Sequence, residues 1–172
     1  KQGLALAITA AVVSQSAYAQ EKAGVLDTIQ VTAERRVENL QDVPVSVSTV
    51  SGENLDVIAS GGADVRYLSG RVPSLNIESS FGRAFPRFYI RGYGNSDFRL
   101  NTSQPVSLVY DDVVQENPIL KGFPVFDVDQ VEVLRGPQGT LFGRNSPAGV
   151  VKFNSVKPSE DASGYGKLSL AS

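Results

Sequence analysis

The sequence contains neither cysteine nor histidine among its 172 residues. Without cysteine, the chain cannot form disulfides, thiolate zinc sites or cysteine nucleophiles. Without histidine, it lacks the commonest general base and the usual transition-metal ligand. These two absences weigh against most classes of enzyme, although carboxylates, serine, lysine and tyrosine remain. We therefore expect no catalytic residue, no metal site and no cofactor.

The charge balance gives no support for nucleic acid as a partner. Sixteen basic and eighteen acidic residues give a net charge of −2, which provides no electrostatic footprint for nucleic acid. A hydrophobic content of 41% is enough for a core, and the length suits one ordinary domain. Methionine is also absent, so we expect that the sequence does not begin at its natural start.

The first nineteen residues have the pattern of a secretory signal peptide. Lys1 supplies a positive charge, LALAITAAVV (Leu4–Val13) is a short apolar run, and Ala17-Tyr18-Ala19 is a cleavage site of the A-x-A type. The run is too short to cross a bilayer comfortably as a helix. We expect residues 1–19 to direct export and the mature chain to begin at Gln20.

The residues that follow predict a small α+β domain of roughly 28–156. Apolar residues that alternate with polar ones, many of them β-branched, are typical of strands. Ser51 is a plausible N-cap for a short helix, and Asp111-Asp112 closes a predicted hairpin. The predicted strands are 29–33, 43–50, 75–78, 87–91, 105–110, 113–115, 127–134 and 149–154, and the predicted helices are 52–59 and 63–68.

The segment Phe81–Arg99 interleaves four arginines with six aromatic residues. Single-stranded nucleic-acid binders use this combination, because bases stack on rings while arginines contact phosphates. The export signal argues against that partner, and we expect no nucleic acid to be bound. The segment could instead be a surface loop whose arginines pack on their own aromatic neighbours, or a loop that faces a ligand.

The stretch VEVLRGPQGTLFG (Val131–Gly143) joins a strand to a glycine-rich turn. Its first two valines alternate with Glu132, which predicts a half-buried strand with Glu132 on the polar side. Its three glycines indicate backbone that bends sharply or approaches another surface closely. The spacing does not fit a phosphate-binding loop, because Arg-Asn follows where Lys and Ser or Thr are required.

The same stretch, extended to VEVLRGPQGTLFGRNSPAGVV, resembles the signature of the plug domain of TonB-dependent outer-membrane receptors. Four further segments resemble other parts of that family's pattern and occur in its order. DTIQVTA resembles the TonB box, VPVSVSTVSGENL the entry strand and helix, FYIRGYG the I-R-G-F/Y segment, and SLVYDDVV the V-Y-I/V-D-G-V hairpin. Asp112 replaces the usual turn glycine. Lys152 and Ser155 are unusual in the last plug strand, which we expect to be less regular.

The resemblance implies an α+β fold: a small mixed-sheet plug domain with short helices, normally inside a transmembrane β-barrel of about 22 strands. It implies a truncated signal peptide (1–19), a mobile N-terminal segment (20–42) with the TonB box at 27–33, the plug (43–158), and a linker with the start of the first barrel strand (159–172). We expect no signalling domain between signal peptide and TonB box. Most of a barrel, which needs about 200 residues in strands alone, is absent from this sequence.

The resemblance also assigns roles to residues at matching positions. The TonB box would bind TonB of the inner-membrane energising complex. Two Arg-Gly pairs would meet acidic residues of the barrel wall, because a buried arginine needs such partners. Apart from the resemblance, the glycine and aromatic content of Phe81–Arg99 favours a loop that faces the substrate. The implied TonB-binding residues are Asp27, Thr28, Ile29, Gln30, Val31, Thr32 and Ala33; the barrel-contacting or gating residues are Arg91, Gly92, Arg135, Gly136 and Pro137; the substrate-facing residues are Phe81, Arg83, Phe85, Tyr93 and Phe98.

The implied function is the gate of an active transporter in a Gram-negative outer membrane, with this part on the lumen and periplasmic side. The substrate would be scarce and large, such as a ferric siderophore, cobalamin, haem or a carbohydrate. Two alternatives stay open: a stand-alone soluble periplasmic module made of a plug-like domain, and a secreted nucleic-acid binder that uses Phe81–Arg99. A natural stop codon near Ser172 would favour the first, and salt-dependent oligonucleotide binding the second.

Overall fold

A computed structural model describes residues 29–60, 64–97, 99, 101–122, 125–143, 146–162, 164 and 166. The signal peptide predicted at 1–19 lies outside these residues. In chain order the elements are β1 (Gln30–Val31), β2 (Glu38–Asn39), β3 (Ser46–Ser51), α1 (Gly52–Ser60), a 3-10 helix (Val65–Leu68), β4 (Leu75–Glu78), β5 (Arg87–Ile90), β6 (Val106–Tyr110), β7 (Val113–Gln115), a second 3-10 helix (Leu120–Gly122), β8 (Val128–Arg135), α2 (Gly139–Phe142) and β9 (Gly149–Ser155).

A five-stranded mixed sheet forms the centre of the fold, in the order β3-β8-β9-β6-β7. β8 runs antiparallel to both of its neighbours, β3 and β9. β9 runs parallel to β6, and β6 forms the predicted hairpin with β7. β1–β2 and β4–β5 form two small antiparallel pairs outside this sheet. The mixed sheet with short helices confirms the predicted α+β fold.

One face of the central sheet carries the larger hydrophobic core. Val131 and Val133 of β8 pack there with Val151 and Phe153 of β9, and all four side chains are fully buried. Apolar residues of α1, the first 3-10 helix and the β4–β5 pair cover this face. The β-branched and aromatic residues that alternate along β8 and β9 therefore place one apolar face of the strands inward.

The opposite face of the sheet is buried as well. Leu134 and Val150 project from it, and they form a second apolar cluster with Val31, Ala33 and Phe142, among other residues. The predicted half-buried strand is therefore wrong on one point: Glu132, expected on a polar side, is completely buried. Its face is covered by chain that lies far away in sequence.

The N-terminal segment 20–42, which we expect to be mobile, contains buried side chains where the structure describes it. Val31 is 1% exposed and Ala33 is fully buried. Burying such side chains against a sheet stabilises their position by about 1.5–3 kcal/mol for each large aliphatic residue. From residue 29 onward the segment is thus part of the folded unit, and the core begins before residue 43.

Most of the other predicted elements are present with small shifts at their ends. The predicted strand 43–50 begins later, at Ser46, and lies at the edge of the sheet with Val47 and Val50 only half-buried. The two-residue strand β2 was not predicted. Within the described part of the chain, no helix is long and apolar enough to cross a membrane.

Candidate functional site

The segment that resembles a TonB box is extended and paired with another strand. Gln30 lies opposite Asn39 and Val31 opposite Glu38 in the β1–β2 pair, and the Ile29 carbonyl accepts a hydrogen bond of 2.9 Å from the Leu40 amide. Asp27 and Thr28, the first two residues of the segment, lie outside the described residues. Of the others, Ile29 is 47% exposed, whereas Val31 and Ala33 are buried.

Side chains from the central sheet hold the other edge of this segment. The Thr32 amide and hydroxyl both donate to Oε1 of Glu132, at 2.8 and 2.9 Å. Lys152 donates through Nζ to the Thr32 carbonyl and hydroxyl oxygens, at 3.2 and 2.9 Å. Asn154 donates to both Thr32 Oγ1 and Glu132 Oε1, and Gln130 donates to the Gln30 carbonyl at 3.0 Å.

These four side chains, Gln130, Glu132, Lys152 and Asn154, form what we call the clamp. Glu132 and Lys152 lie directly opposite each other on β8 and β9, and both are almost completely buried. Lys152 also forms an ion pair of 2.9 Å with Asp112 in the β6–β7 turn. The hydrogen bond from Lys152 lowers the pKa of the Asp112 carboxyl below its usual range.

The charged groups of the clamp are placed to form hydrogen bonds with a polypeptide main chain. A carboxylate accepts from an amide and an ammonium donates to a carbonyl, and hydrogen bonds to ionised groups are shorter and stronger than those between neutral groups. Among the described residues, no group of three or more acidic side chains could hold a metal ion. The arrangement binds an extended strand through its backbone and offers no nucleophile with an adjacent base.

The predicted gating residue Arg135 lies at the end of β8 and binds three neighbours within the chain. Its guanidinium donates to the Pro73 carbonyl, with the shorter contact at 2.7 Å, and to the hydroxyls of Ser46 and Ser48. No carboxylate of the described residues forms an ion pair with it. Burial, and secondarily the positive charge of Arg91, lower the pKa of the Arg135 guanidinium.

Arg91 and Gly92 form the two-residue turn between β5 and Tyr93. Both have positive φ, at 53° and 77°, and the Ile90 and Tyr93 main chains exchange two hydrogen bonds around them. This is the geometry of a type I′ turn, whose twist matches that of paired strands. The turn presents the Arg91 side chain to solvent, near enough to Arg135 for the two positive charges to interact.

Gly136 and Pro137 turn the chain away from β8. Gly136 has a φ of 98°, a conformation that favours glycine, and its amide donates to the Ala148 carbonyl. The turn leads into α2, which Gly143 ends in the left-handed conformation. Phe142 of α2 is buried, and the Arg35 guanidinium lies 5.4 Å from the centre of its ring.

The residues predicted to face a substrate lie before and after β5 where the structure describes them. Phe81 is 52% exposed and contacts Phe85 edge to face at 5.8 Å. Arg83 lies 3.8 Å from the Asp64 carboxylate. Tyr93 is 54% exposed beside the Arg91-Gly92 turn, and Phe98 lies outside the described residues. The structure therefore places part of this set in two exposed loops.

Sequence reasoning missed the clamp because its members look like ordinary polar strand positions. Gln130, Glu132, Lys152 and Asn154 alternate with buried apolar residues, which by itself predicts contact with solvent. One signal was present in the sequence: Lys152 departs from the pattern of the family that the chain resembles. A lysine inside an apolar strand needs a partner, and here its partners are Thr32 and Asp112.

Comparison with known proteins gives several matches. The pesticin receptor of Yersinia enterocolitica (serotype O:8) is 30% identical over 139 residues, which cover 80% of this chain and 20% of that receptor. The vitamin B12 transporter BtuB of Vibrio vulnificus is 28% identical over 176 residues, which cover 99% of this chain and 27% of the transporter. The chain thus spans about a fifth to a quarter of the length of these relatives.

The solved structures and the family comparison agree with each other. The ferric yersiniabactin uptake receptor FyuA from Yersinia pestis matches with a TM-score of 0.59 and 32% identity, covering 68% of this chain and 18% of that one. The family model described as "TonB-dependent Receptor Plug Domain" matches residues 39–150, more than half of the chain. This chain belongs to the family of TonB-dependent receptor plug domains.

Proposed function

We propose that this chain is the plug of a TonB-dependent active transporter of the Gram-negative outer membrane. The plug closes the lumen of the transporter's own C-terminal β-barrel from the periplasmic side. Substrate arrives from outside, the plug shifts, and the segment 27–33 engages TonB of the inner-membrane energising complex. The chain carries no catalytic role in this process.

The observation that carries this proposal is the short strand Gln30–Val31 within the segment 27–33, which lies just before the matched plug residues 39–150. An extended segment with β-branched residues can add as a strand to the sheet of a partner, and main-chain hydrogen bonds then supply most of the affinity. Its position, just before a plug domain, is where such a coupling segment can transmit force to the gate.

The two arginines near the end of β8 support the gating role. Arg91 and Arg135 interact as like charges, and no ion pair to either is formed by the described residues. Like charges near each other are costly unless a carboxylate approaches both. The wall of a surrounding barrel is the natural source of such carboxylates, and Arg91, Gly92, Arg135, Gly136 and Pro137 would lie against it.

The names of the relatives narrow the class of substrate that we propose for this chain. They include a ferric yersiniabactin uptake receptor, a vitamin B12 transporter and a ferrioxamine B receptor. We propose a scarce, large substrate, such as a ferric siderophore, cobalamin, haem or a carbohydrate, approached through the residues that the sequence predicts to face it, Phe81, Arg83, Phe85, Tyr93 and Phe98.

The test compares uptake with surface binding of labelled substrate in cells that carry the full-length receptor. In one variant, residues 27–33 are replaced by a Gly-Ser sequence of equal length. Retained surface binding with lost uptake supports the proposal, because coupling would be broken while the substrate site stays intact. Normal uptake by this variant would show that residues 27–33 are not the coupling segment, and loss of both activities would show that they are structural.

A further inference from the structure

Lys121 is buried in the loop between β7 and β8. It lies in the second 3-10 helix and is 1% exposed, and its Nζ has no hydrogen-bond partner among the described residues. Lys152, which is also buried, binds Thr32 and forms an ion pair with Asp112. A lysine is rarely buried without such partners, because removal from water favours the neutral amine over the ammonium.

The residues beside Lys121 have the reverse of the usual distribution between core and surface. Ile119 and Leu120 are 51% and 56% exposed, whereas the lysine that follows them is buried. Exposure of large aliphatic side chains is unfavourable, and so is burial of an ammonium. A rotation of this turn that brought Lys121 to water and Leu120 inward would relieve both costs.

Short-range hydrogen bonds hold this turn in place. The Ile119 amide donates to Oδ1 of Asn117 at 3.0 Å. The Lys121 amide donates to the Asn117 carbonyl, and the Gly122 amide to the Ile119 carbonyl, both at 3.3 Å. Gly122 packs against a second loop, since a Cβ there would lie 2.3 Å from the Arg83 carbonyl oxygen. None of these contacts belongs to a strand, so the turn can open without unfolding the sheet.

We propose that residues 117–122, which we call the Lys121 loop, are closed when Lys121 is neutral and open with the uptake of one proton. In the closed loop the amine is shielded from water, and in the open loop it is a solvated ammonium. The inference does not depend on the proposed function, because it follows from the contacts of this loop. It places a proton-dependent movement beside Arg83, which we predict to face the substrate.

The charged groups around the Lys121 loop do not compensate for the burial of the amine. Burial lowers the pKa of Lys121, and the opposing attraction of Glu116, just before the loop, is the smaller effect. Arg83, in the loop that Gly122 contacts, is itself a cation and lies 3.8 Å from the Asp64 carboxylate. A proton on Lys121 is therefore better accommodated in water than in the closed loop.

The linkage between opening and pH has a definite sign. The open loop has the ordinary lysine pKa of about 10.4, and the pKa in the closed loop is lower. The closed loop is therefore most stable above the ordinary value. Between the two pKa values, each pH unit of acidification favours opening by about tenfold, because one proton is taken up. Below the lowered pKa the amine is protonated in place, and the effect levels off.

Amide hydrogen exchange of the purified chain measures this opening as a function of pH. When opening is rapid, an amide exchanges in proportion to the opening equilibrium and to hydroxide concentration. Between the two pKa values these factors change in opposite directions, so the amides of Lys121 and Gly122 should exchange at a nearly constant rate as the pH rises. The Tyr93 amide, in the separate Arg91-Gly92 turn, should exchange about tenfold faster for each pH unit. Measurements from about pH 6 to 10 cover the range below the ordinary lysine pKa.

Lys121→Met is the test variant, because it keeps an unbranched side chain and removes the charge. We expect the Gly122 amide in this variant to regain the ordinary increase with pH. At pH 7 it should exchange more slowly than in the wild type, by about tenfold for each unit by which the fold lowers the lysine pKa. Lys157→Met is the matched control, since Lys157 is exposed, and it should keep the wild-type profile.

The wild-type profile can overturn the proposal without any variant. If the amides of Lys121 and Gly122 accelerate with pH as steeply as Tyr93 over the whole range, opening takes up no proton. If they exchange as slowly as the amides of Val131 and Val151 in the sheet, the loop opens only when the whole domain unfolds, and the proposal is wrong. A flat profile that persists in Lys121→Met would assign the proton to another group and would also overturn it.

Discussion

At Gly149, the first residue of β9, the backbone has a φ of 145° and passes close to two neighbours. A Cβ there would lie 2.2 Å from the Leu134 carbonyl oxygen and 2.9 Å from Cδ1 of Ile90. Contacts this short cannot be relieved by one flexible side chain, because one of the atoms belongs to the backbone. The glycine is therefore required by both conformation and space.

We expect Gly149→Ala to lower the free energy of unfolding by about 1–3 kcal/mol, the usual cost of overpacking a core. Urea denaturation followed by circular dichroism measures this change. Gly164→Ala is the matched control, since a Cβ at Gly164 meets no atom within 4 Å, and it should stay within about 0.5 kcal/mol of the wild type. Equal stability of the two variants would contradict the close approach at Gly149.

The ion pair between Asp112 and Lys152 predicts a pH dependence with a definite sign. Because the pKa of Asp112 is lowered in the fold, its ionised form stabilises the folded state above about pH 4, its ordinary value. That contribution is lost as the pH falls through the lowered pKa. Asp112→Asn should therefore unfold at lower urea concentration than the wild type at pH 7, with a smaller difference near pH 3.

Asp42→Asn is the control for that measurement, because Asp42 is exposed and its side chain forms no ion pair with the residues that the structure describes. Its difference from the wild type should be small at both pH values. A difference between Asp112→Asn and the wild type that grows on acidification would have the wrong sign for this ion pair. Such a result would mean that Asp112 is strained in the turn, where its φ is 67°.

Single positions also show which features of the structure can be predicted from the sequence. The hairpin at Asp111-Asp112 and the turns at Gly136 and Gly143 were predictable, because turns depend on local backbone preferences. The burial of Glu132 was not, since the residues that cover it lie about 100 positions earlier. A local pattern cannot reveal a partner that only the tertiary fold brings near.

Among the elements, β1 and β2 were the hardest to predict. Each has two residues, and strands this short have no periodicity to detect. The sequence did mark 29–33 as extended, and its resemblance to a TonB box singled it out. What it could not indicate is that the segment is docked, because docking depends on side chains of β8 and β9.

The docked geometry makes Ile29→Pro the sharpest test of strand addition. Proline lacks an amide hydrogen and fixes φ, so a strand added at residue 29 would lose a ladder hydrogen bond. Within this chain the Ile29 carbonyl, which proline keeps, makes the contact with Leu40. We therefore expect Ile29→Pro to bind TonB's periplasmic domain at least about tenfold more weakly, with unchanged thermal stability.

Ile29→Val is the control, because it keeps the amide and a β-branched side chain, and its binding should match the wild type. Val31→Pro is less informative than it would be in a free segment, since Val31 is buried and its replacement also disturbs the second cluster. Equal binding by Ile29→Pro and Ile29→Val would rule out main-chain recognition at this residue.

On the scale of the whole molecule, Arg135 links the plug to the wall proposed around it. Its guanidinium connects β8 to the edge strand β3 and to the loop at Pro73, while its charge lies near that of Arg91. Two roles are thus combined in one side chain. The guanidinium joins parts of the plug through its hydrogen bonds, and we propose that its positive charge attracts carboxylates of a surrounding barrel.

Arg135→Lys and Arg135→Ala separate these roles in the full-length receptor. Lysine keeps the positive charge but cannot reproduce the planar set of guanidinium donors. We therefore expect Arg135→Lys to loosen β3 while it retains the attraction to a barrel carboxylate. Alanine removes both. We expect ion current through the receptor in planar bilayers to rise strongly for Arg135→Ala and only slightly for Arg135→Lys.

Because Arg135 is half-buried and has hydrogen bonds to neutral partners, the fold should survive both changes, at a cost of about 1–3 kcal/mol. If both variants leak equally, the guanidinium donors and not the charge seal the gate; if neither leaks, Arg135 has no part in sealing, and the proposed contact with the barrel wall is wrong.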